Sequence, residues 1–241
     1  MYTENMAQVI EKVKEFSAIY APFLIEEKIP LKVFIGENTS SRTVPQSSEG
    51  MREISVGETW GKQFSYSWFY SEFEAGVSLE GKNLWLISEN GAVENLVFVN
   101  GRAVGMFDNI PAERCFPYVH RYQRYVLLTE HAKVGEKYRI ALEGYASHVV
   151  PGCYPLESAQ TLGMNGVYEK NIFQGLYVVV KNSAVACFLN SMQIFSELYD
   201  HTDDRFLKGE LQKCGEKLYS LLSRCPNREE IDKPLEEANK V

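Results

Sequence analysis

Hydrophobic positions change their period twice along the chain. Met6, Val9, Ile10, Val13, Phe16 and Tyr20 recur at helical spacing, which predicts an amphipathic helix after a cap at Thr3 and ending before Pro22. Leu31, Val33 and Ile35 then alternate with Lys32 and Phe34, the two-residue period of a strand, and the polar stretch from Gly36 to Gly50 reads as a long loop. From Ile54 to about Val180, short aromatic or β-branched runs are separated by Gly, Pro, Asn and Asp. The runs that fit strands are Ser65 to Glu74, Leu84 to Ser88, Leu96 to Val99, Arg102 to Phe107, Arg124 to Leu128, Lys137 to Tyr145, and Gly175 to Val180. With no helical pattern between them, they argue for an antiparallel β-sandwich and against a doubly wound α/β sheet.

Within that region, residues 84–105 read as a two-strand unit closed by Asn100-Gly101. Both central residues of a type I′ turn need positive φ, which Asn and Gly tolerate best. After Lys181 the helical period returns. Val185, Phe188, Leu189, Met192, Phe195 and Tyr199 mark one helix. Leu207, Leu211, Cys214, Leu218 and Leu222 mark a second, capped at Thr202 or Asp203. The short connection favours an antiparallel helical hairpin. A third helix starts near Asp232, with Pro234 in its first turn. Its stripe of Leu235, Ala238 and Val241 has barely begun when the sequence stops, which predicts a piece of a longer protein. The chain therefore divides into an N-terminal helix (1–24), a β-sandwich (25–181) and a helical connector (182–241).

Composition narrows the class. An apolar content of 45% over 241 residues is enough for a substantial core, and 14 Tyr with 13 Phe suit strands better than a coiled coil. A formal net charge of −7 argues against nucleic acid as a partner, because phosphate binding needs clustered Lys and Arg. Five cysteines are an odd number and form no Cys-x-x-Cys pair, so they read as reduced thiols of a cytoplasmic protein. Charged residues interrupt the first twenty positions, and no stretch reaches membrane-spanning length, so neither a signal peptide nor a membrane partner is expected.

Candidate chemistry is sparse. His120, His131, His148 and His201 lack the close spacings of metal ligands. His201-Thr202-Asp203-Asp204 could offer a His and two carboxylates, but these residue types also make helix caps. No Gly-x-Ser-x-Gly elbow or phosphate-cradling glycine loop occurs. Glu89, Glu94 and Asp108 surround the hairpin, but sequence spacing does not establish the two flanking carboxylates that a glycosidase requires. Trp60, Tyr66, Trp68, Phe69, Tyr70 and Phe73 form an aromatic set. Flat rings can stack on the C–H faces of sugars, yet at least one face of that strand must pack into the sandwich.

Several pieces, taken in order, resemble a known family. They are Gly57-Glu-Thr-Trp60-Gly61, Ser67-Trp68-Phe69, Leu84-Trp-Leu-Ile, Gly91-Ala-Val-Glu94, and the strand from Val97 through Asn100-Gly101 to Gly105. With Leu127 to Glu136, Tyr138 to Gly144 and the later helices, this series resembles the N-terminal region of cytosolic-type α-mannosidases of glycoside hydrolase family 38. The segments from Cys115 to Gln123 and Pro151 to Gly166 have no clear counterpart in it. The resemblance implies a jelly-roll-like, galactose-binding-like sandwich followed by helices and then by a zinc-dependent retaining catalytic domain. The His-x-His-x-Asp zinc motif of that domain is absent from residues 1–241. Under this resemblance the chain itself has no catalytic residue, metal or cofactor, and zinc belongs to the absent catalytic domain. Trp60, Trp68, Glu94 and Asn100 are candidate carbohydrate-contacting or fold-supporting positions. Its partners would be its own catalytic domain and a mannose-containing oligosaccharide, with a homo-oligomer left open. A stand-alone carbohydrate-binding or protein-interaction module is the alternative.

Overall fold

Alternating inward and outward side chains on two antiparallel sheets organise Lys28–Val180. The computed structural model describes residues 6–41, 43–62, 64–92, 94–108, 124–146, 171–228 and 231–241. They fall into two units, Lys28–Val180 and Met1–Glu27 with Lys181–Val241. In chain order the first elements are α1 (Met6–Tyr20), β1 (Ile25–Pro30), β2 (Phe34–Thr39), β3 (Arg52–Glu53), β4 (Thr59–Trp60) and β5 (Ser65–Glu74). Next come β6 (Leu84–Glu89), β7 (Glu94–Val99), β8 (Arg102–Asp108), β9 (Val126–Thr129), β10 (Lys137–Ala146), β11 (Asn171–Ile172) and β12 (Gly175–Lys181). Helices α2 (Ser183–His201), α3 (Arg205–Leu221) and α4 (Asp232–Ala238) follow.

One sheet has the order β1-β12-β6-β9, the other β3-β2-β5-β10-β7-β8, and β4 pairs with β11 in a small third sheet. Leu84, Leu86, Val126, Leu128, Leu176, Val178 and Val180 point inward from the first sheet. Ile35, Phe69, Val97, Val99, Phe107, Ile140 and Leu142 meet them from the second, in one buried cluster. Two sheets facing across a shared apolar layer are a sandwich, so the fold is mainly β, antiparallel and jelly-roll-like, with four helices among the described residues. Each fully buried Leu, Val or Phe contributes roughly 1.5–3 kcal/mol relative to exposure, which is why the inward positions fix the register.

The hairpin forms as its turn residues require: Asn100 has φ 51° and Gly101 φ 80°, and Val99 pairs with Arg102. The strand Leu84–Ser88 is not its partner, however. It lies in β6, which pairs with β12 and β9 in the opposite sheet, so the chain changes sheets between β6 and β7. Two further expectations change. Residues Gly36–Thr39 continue β2 and are not loop, and the charged run Ile25–Pro30 forms β1. Its sequence, Ile-Glu-Glu-Lys-Ile-Pro, has no two-residue apolar period to mark it as a strand, and β1 lies at the edge of the sheet beside β12.

The helical unit has its own core. Val9, Ile10, Val13, Phe16 and Tyr20 of α1 pack with Val185, Phe188, Met192 and Phe195 of α2, Leu218 of α3 and Leu235 of α4. At Gly215 a Cβ would lie 2.8 Å from Ile10 Cδ1, so the glycine permits close approach of α1 to α3. Asn182 caps α2 by accepting from Val185 N at 2.8 Å. Its Nδ2 also donates to Glu26 Oε1 at 3.0 Å and Asp232 Oδ1 at 2.8 Å. The cap of α3 is Asp204, not Thr202 or Asp203. Thr202 Oγ1 instead accepts from Asp204 N. The expected cap at Thr3 lies outside the described residues.

Candidate functional site

Trp60 is placed as structure. It is 0% exposed, packs edge-on against Phe69 at 4.7 Å between ring centroids, and donates from Nε1 to Asn90 O at 2.6 Å. Its backbone pairs with Asn171 of β11. An indole with both faces and its N–H engaged in a core fixes the end of the sandwich where the chain crosses from β6 to β7.

Trp68 lies on the outer face of the six-stranded sheet, away from the core that holds Trp60. On β5, Trp68 and Tyr70 point outward while Phe69 points into the sandwich core, as strand alternation dictates. The outward rings are nonetheless buried, Trp68 being 3% exposed. Val44, from the stretch Gly36 to Gly50 expected to be a long loop, and Met51 directly after it pack on them together with Phe98 and Ala141. Trp68 Nε1 donates to Ser41 O at 3.0 Å, and the Tyr70 hydroxyl lies 3.1 Å from Gln46 O and 2.7 Å from Glu72 Oε1. Burial, with the Glu72 carboxylate adding to it, pushes the Tyr70 hydroxyl up to about 12.

Glu94 and Asn100 sit at opposite ends of β7, six residues apart, which is roughly 20 Å along a strand. Glu94 is half-buried and faces Asp108 across the ladder. Asn100 holds the hairpin onto β10: its N–H donates to Arg139 O at 2.8 Å and its Oδ1 accepts from Arg139 N at 3.0 Å. The four residues singled out from sequence are therefore not brought to one point.

Asn100 instead borders a groove of about 520 Å³ at the end of β5 and the start of β10, lined also by Glu72, Phe73, Glu74, Lys137, Tyr138 and Arg139. Carboxylates, an ammonium, a guanidinium and an amide converge there on the outer face of the sheet, while the Phe73 and Tyr138 rings, 6.2 Å apart between centroids, turn inward to the sandwich core. Such a set can donate to and accept from vicinal hydroxyls. Sequence reading missed Glu72 and Arg139. The signal was the two-residue period itself, which puts Glu72 on the face of Trp68 and Tyr70, with Arg139 as its cross-strand partner.

The remaining candidates have ordinary partners. Glu89 is ion-paired to Lys28 at 3.1 Å, and Lys28 Nζ also lies 3.8 Å from the centroid of Tyr177. His201 Nδ1 is 2.9 Å from Glu197 O, and among the described residues no group of three His, Cys, Asp or Glu could hold a metal ion. His120 and His148 lie outside the described residues, as do Cys115 and Cys153. Cys187, Cys214 and Cys225 are free thiols, and no helix among the described residues is long and apolar enough to cross a membrane.

No protein-family description matches the chain, and no curated protein matches it. Solved structures with partial backbone likeness include a Bacteroides uniformis β-glucuronidase, at 9% identity and a TM-score of 0.45, over 64% of this chain and 18% of that one. A Ruminococcus gnavus β-glucuronidase bound to D-glucuronic acid matches at 10% identity and 0.40, over 65% and 29% respectively. A glycosyl hydrolase family 2 member from Bacteroides cellulosilyticus matches at 12% identity and 0.41, over 66% and 21%. The chain spans less than a third of the length of each of these structures.

Proposed function

We propose that this chain is a non-catalytic, carbohydrate-associated β-sandwich, the N-terminal accessory part of an α-mannosidase. The observation behind the carbohydrate reading is the groove beside Asn100, where Glu72, Lys137 and Arg139 bring hydrogen-bond donors and acceptors together. The mannosidase assignment rests on the ordered series from Trp60 to Gly105 and its continuation through Gly144. In this reading the zinc ion, the nucleophile and the general acid of the retaining reaction belong to a catalytic domain outside residues 1–241, and that domain is the chain's main partner. The free thiols Cys187, Cys214 and Cys225 suit a cytoplasmic setting.

Two measurements test the proposal. An aryl α-mannoside should be turned over by a product of the longer reading frame and not by this chain alone; substantial turnover by the chain would overturn it. Titration with manno-oligosaccharides should show saturable binding that Arg139→Met weakens. No saturation with any sugar would remove the carbohydrate reading.

A protein-interaction module is the second reading, favoured by the helical unit. Phe206 is 78% exposed, and Ile194 and Leu198 border an apolar cavity of about 280 Å³. Sedimentation of the chain across a concentration series distinguishes a self-associating surface from a monomer.

A further inference from the structure

The outward aromatic cluster on β5 is separate from the sandwich core and has an unusual cover. Trp68, Tyr70 and Phe98 surround the small side chain of Ala141, which is the cross-strand partner of both Tyr70 and Phe98. Trp68 and Phe98 meet at 5.6 Å between centroids, tilted by 54°. Over them runs the segment of residues 43–51, of which Val44 and Met51 supply the apolar contacts.

Two rings of β5 donate to this segment and to Ser41 ahead of it, Trp68 Nε1 to Ser41 O and the Tyr70 hydroxyl toward Gln46 O, and Thr39 Oγ1 of β2 accepts from Ser41 N. A phenol has one proton to donate, and the Glu72 carboxylate at 2.7 Å is a nearer and stronger acceptor than the Gln46 carbonyl at 3.1 Å. The tie at Tyr70 is therefore weak. The segment's other bonds are local, such as Thr43 N to Ser41 Oγ and Met51 N to Ser48 O. A cover with few apolar contacts and local bonding opens at lower free energy than the sheet beneath it.

We infer that Trp68, Tyr70 and Phe98 form a binding platform for the apolar faces of neutral hexose units, and that residues 43–51 are its displaceable cover. This rests on the carbohydrate reading and adds to it a second, gated subsite. The carbonyls of Ser41 and Gln46 occupy positions that sugar hydroxyl oxygens would take, so opening frees an indole N–H beside flat apolar faces while Glu72 stays as acceptor. The strip continues uncovered through Leu96, 42% exposed, and its cross-strand partner Met106, 44% exposed. Tyr70 and Glu72 join it to the groove beside Asn100.

The test compares the native chain with a variant in which residues 43–48 are replaced by Gly-Ser of equal length, titrated with manno- and cello-oligosaccharides by calorimetry. The loosened variant should bind about tenfold more tightly, the gain expected when a competent state populated roughly one part in ten becomes dominant. Trp68→Ala in the loosened background should abolish that gain. A folded loosened variant with no gain overturns the platform. If it does not fold, Val44→Ser provides the same comparison at unchanged chain length, and absence of any gain there also overturns it. Arg139-dependent binding equal in native and loosened chains would leave the groove as a sugar site and remove the platform. A gain with cello- but not manno-oligosaccharides would keep the platform and remove the mannosidase assignment.

Discussion

Asn90 and Asn95 exchange side-chain amide bonds across the turn that takes the chain from one sheet to the other. Asn90 Nδ2 donates to Asn95 Oδ1 at 2.6 Å, and Asn95 Nδ2 donates back to Asn90 Oδ1 at 3.2 Å. Asn90 Oδ1 also accepts from Ala92 N, and its carbonyl accepts the Trp60 indole N–H. Both side chains are buried, so the pair satisfies polar groups that have no water to turn to. Asn95→Ala should cost about 2 kcal/mol, mostly because Asn90 Nδ2 loses its acceptor in the interior. Urea denaturation measures it, and a loss within a few tenths of a kcal/mol would show that the pair is dispensable.

Gly144 sits beside that pair on β10. A Cβ there would stand 3.0 Å from Asn95 Oδ1 and 3.0 Å from Phe69 Cε2, tighter than van der Waals contact allows. Gly144→Ala should destabilise by about 1–3 kcal/mol. Because Asn95→Ala removes one of the two clashing atoms, the double variant should lose less than the sum of the singles. Strict additivity would mean that the added methyl is accommodated without touching Asn95.

At Asn100 the backbone and the side chain make separable demands. The positive φ costs an L-residue without a short polar side chain about 1 kcal/mol, and the bond to Arg139 N contributes about 1 kcal/mol more. Asn100→Gly should therefore lose only the second contribution, Asn100→Ala both, and Asn100→Asp neither. Thermal denaturation of the three variants reads the order directly; equal losses for Gly and Ala would remove the backbone contribution.

Strand period and turn chemistry made most of the sandwich legible. Ser65 to Glu74 was readable to the residue because its alternation is long and ends at Gly76, and Asn100-Gly101 admits few other conformations. What was not legible was partnership. Sequence periodicity shows that Leu84–Ser88 is a strand, but not that the chain moves to the other sheet between β6 and β7. It likewise shows Trp68 and Tyr70 on one face without showing that Val44 and Met51 cover them. The groove shares this limit, since Glu72 and Arg139 meet only through a pairing register between β5 and β10.

The start of α3 offers a sharper comparison of sequence with structure. Three neighbouring residues could cap this helix by composition, but Asp204 Oδ1 is the atom that accepts from Phe206 N at 2.8 Å and Leu207 N at 3.2 Å. Asp204→Ala should cost about 1 kcal/mol. Asp203→Ala, at an exposed position, should stay within about 0.5 kcal/mol of the native chain. A reversal of that order in chemical denaturation would move the cap to Asp203.

Alkaline pH should unfold the sandwich through its buried phenols. Burial raises the Tyr70 and Tyr138 hydroxyls from 10.0 to about 12. Below pH 10 both are neutral whether the chain is folded or not, and the full stabilisation is present. Between pH 10 and 12 the unfolded chain releases these protons while the folded chain keeps them. The unfolded state then binds fewer protons, and stability falls as pH rises. The melting temperature should drop across that window, and tyrosinate absorbance should show Tyr70 and Tyr138 among the residues that ionise later than the exposed set. Lysines titrate in the same range, so the decisive comparison is Tyr70→Phe, which should flatten the drop by the share that Tyr70 contributes. An identical pH dependence in native and Tyr70→Phe chains would mean that the hydroxyl beside Glu72 ionises as freely in the fold as outside it.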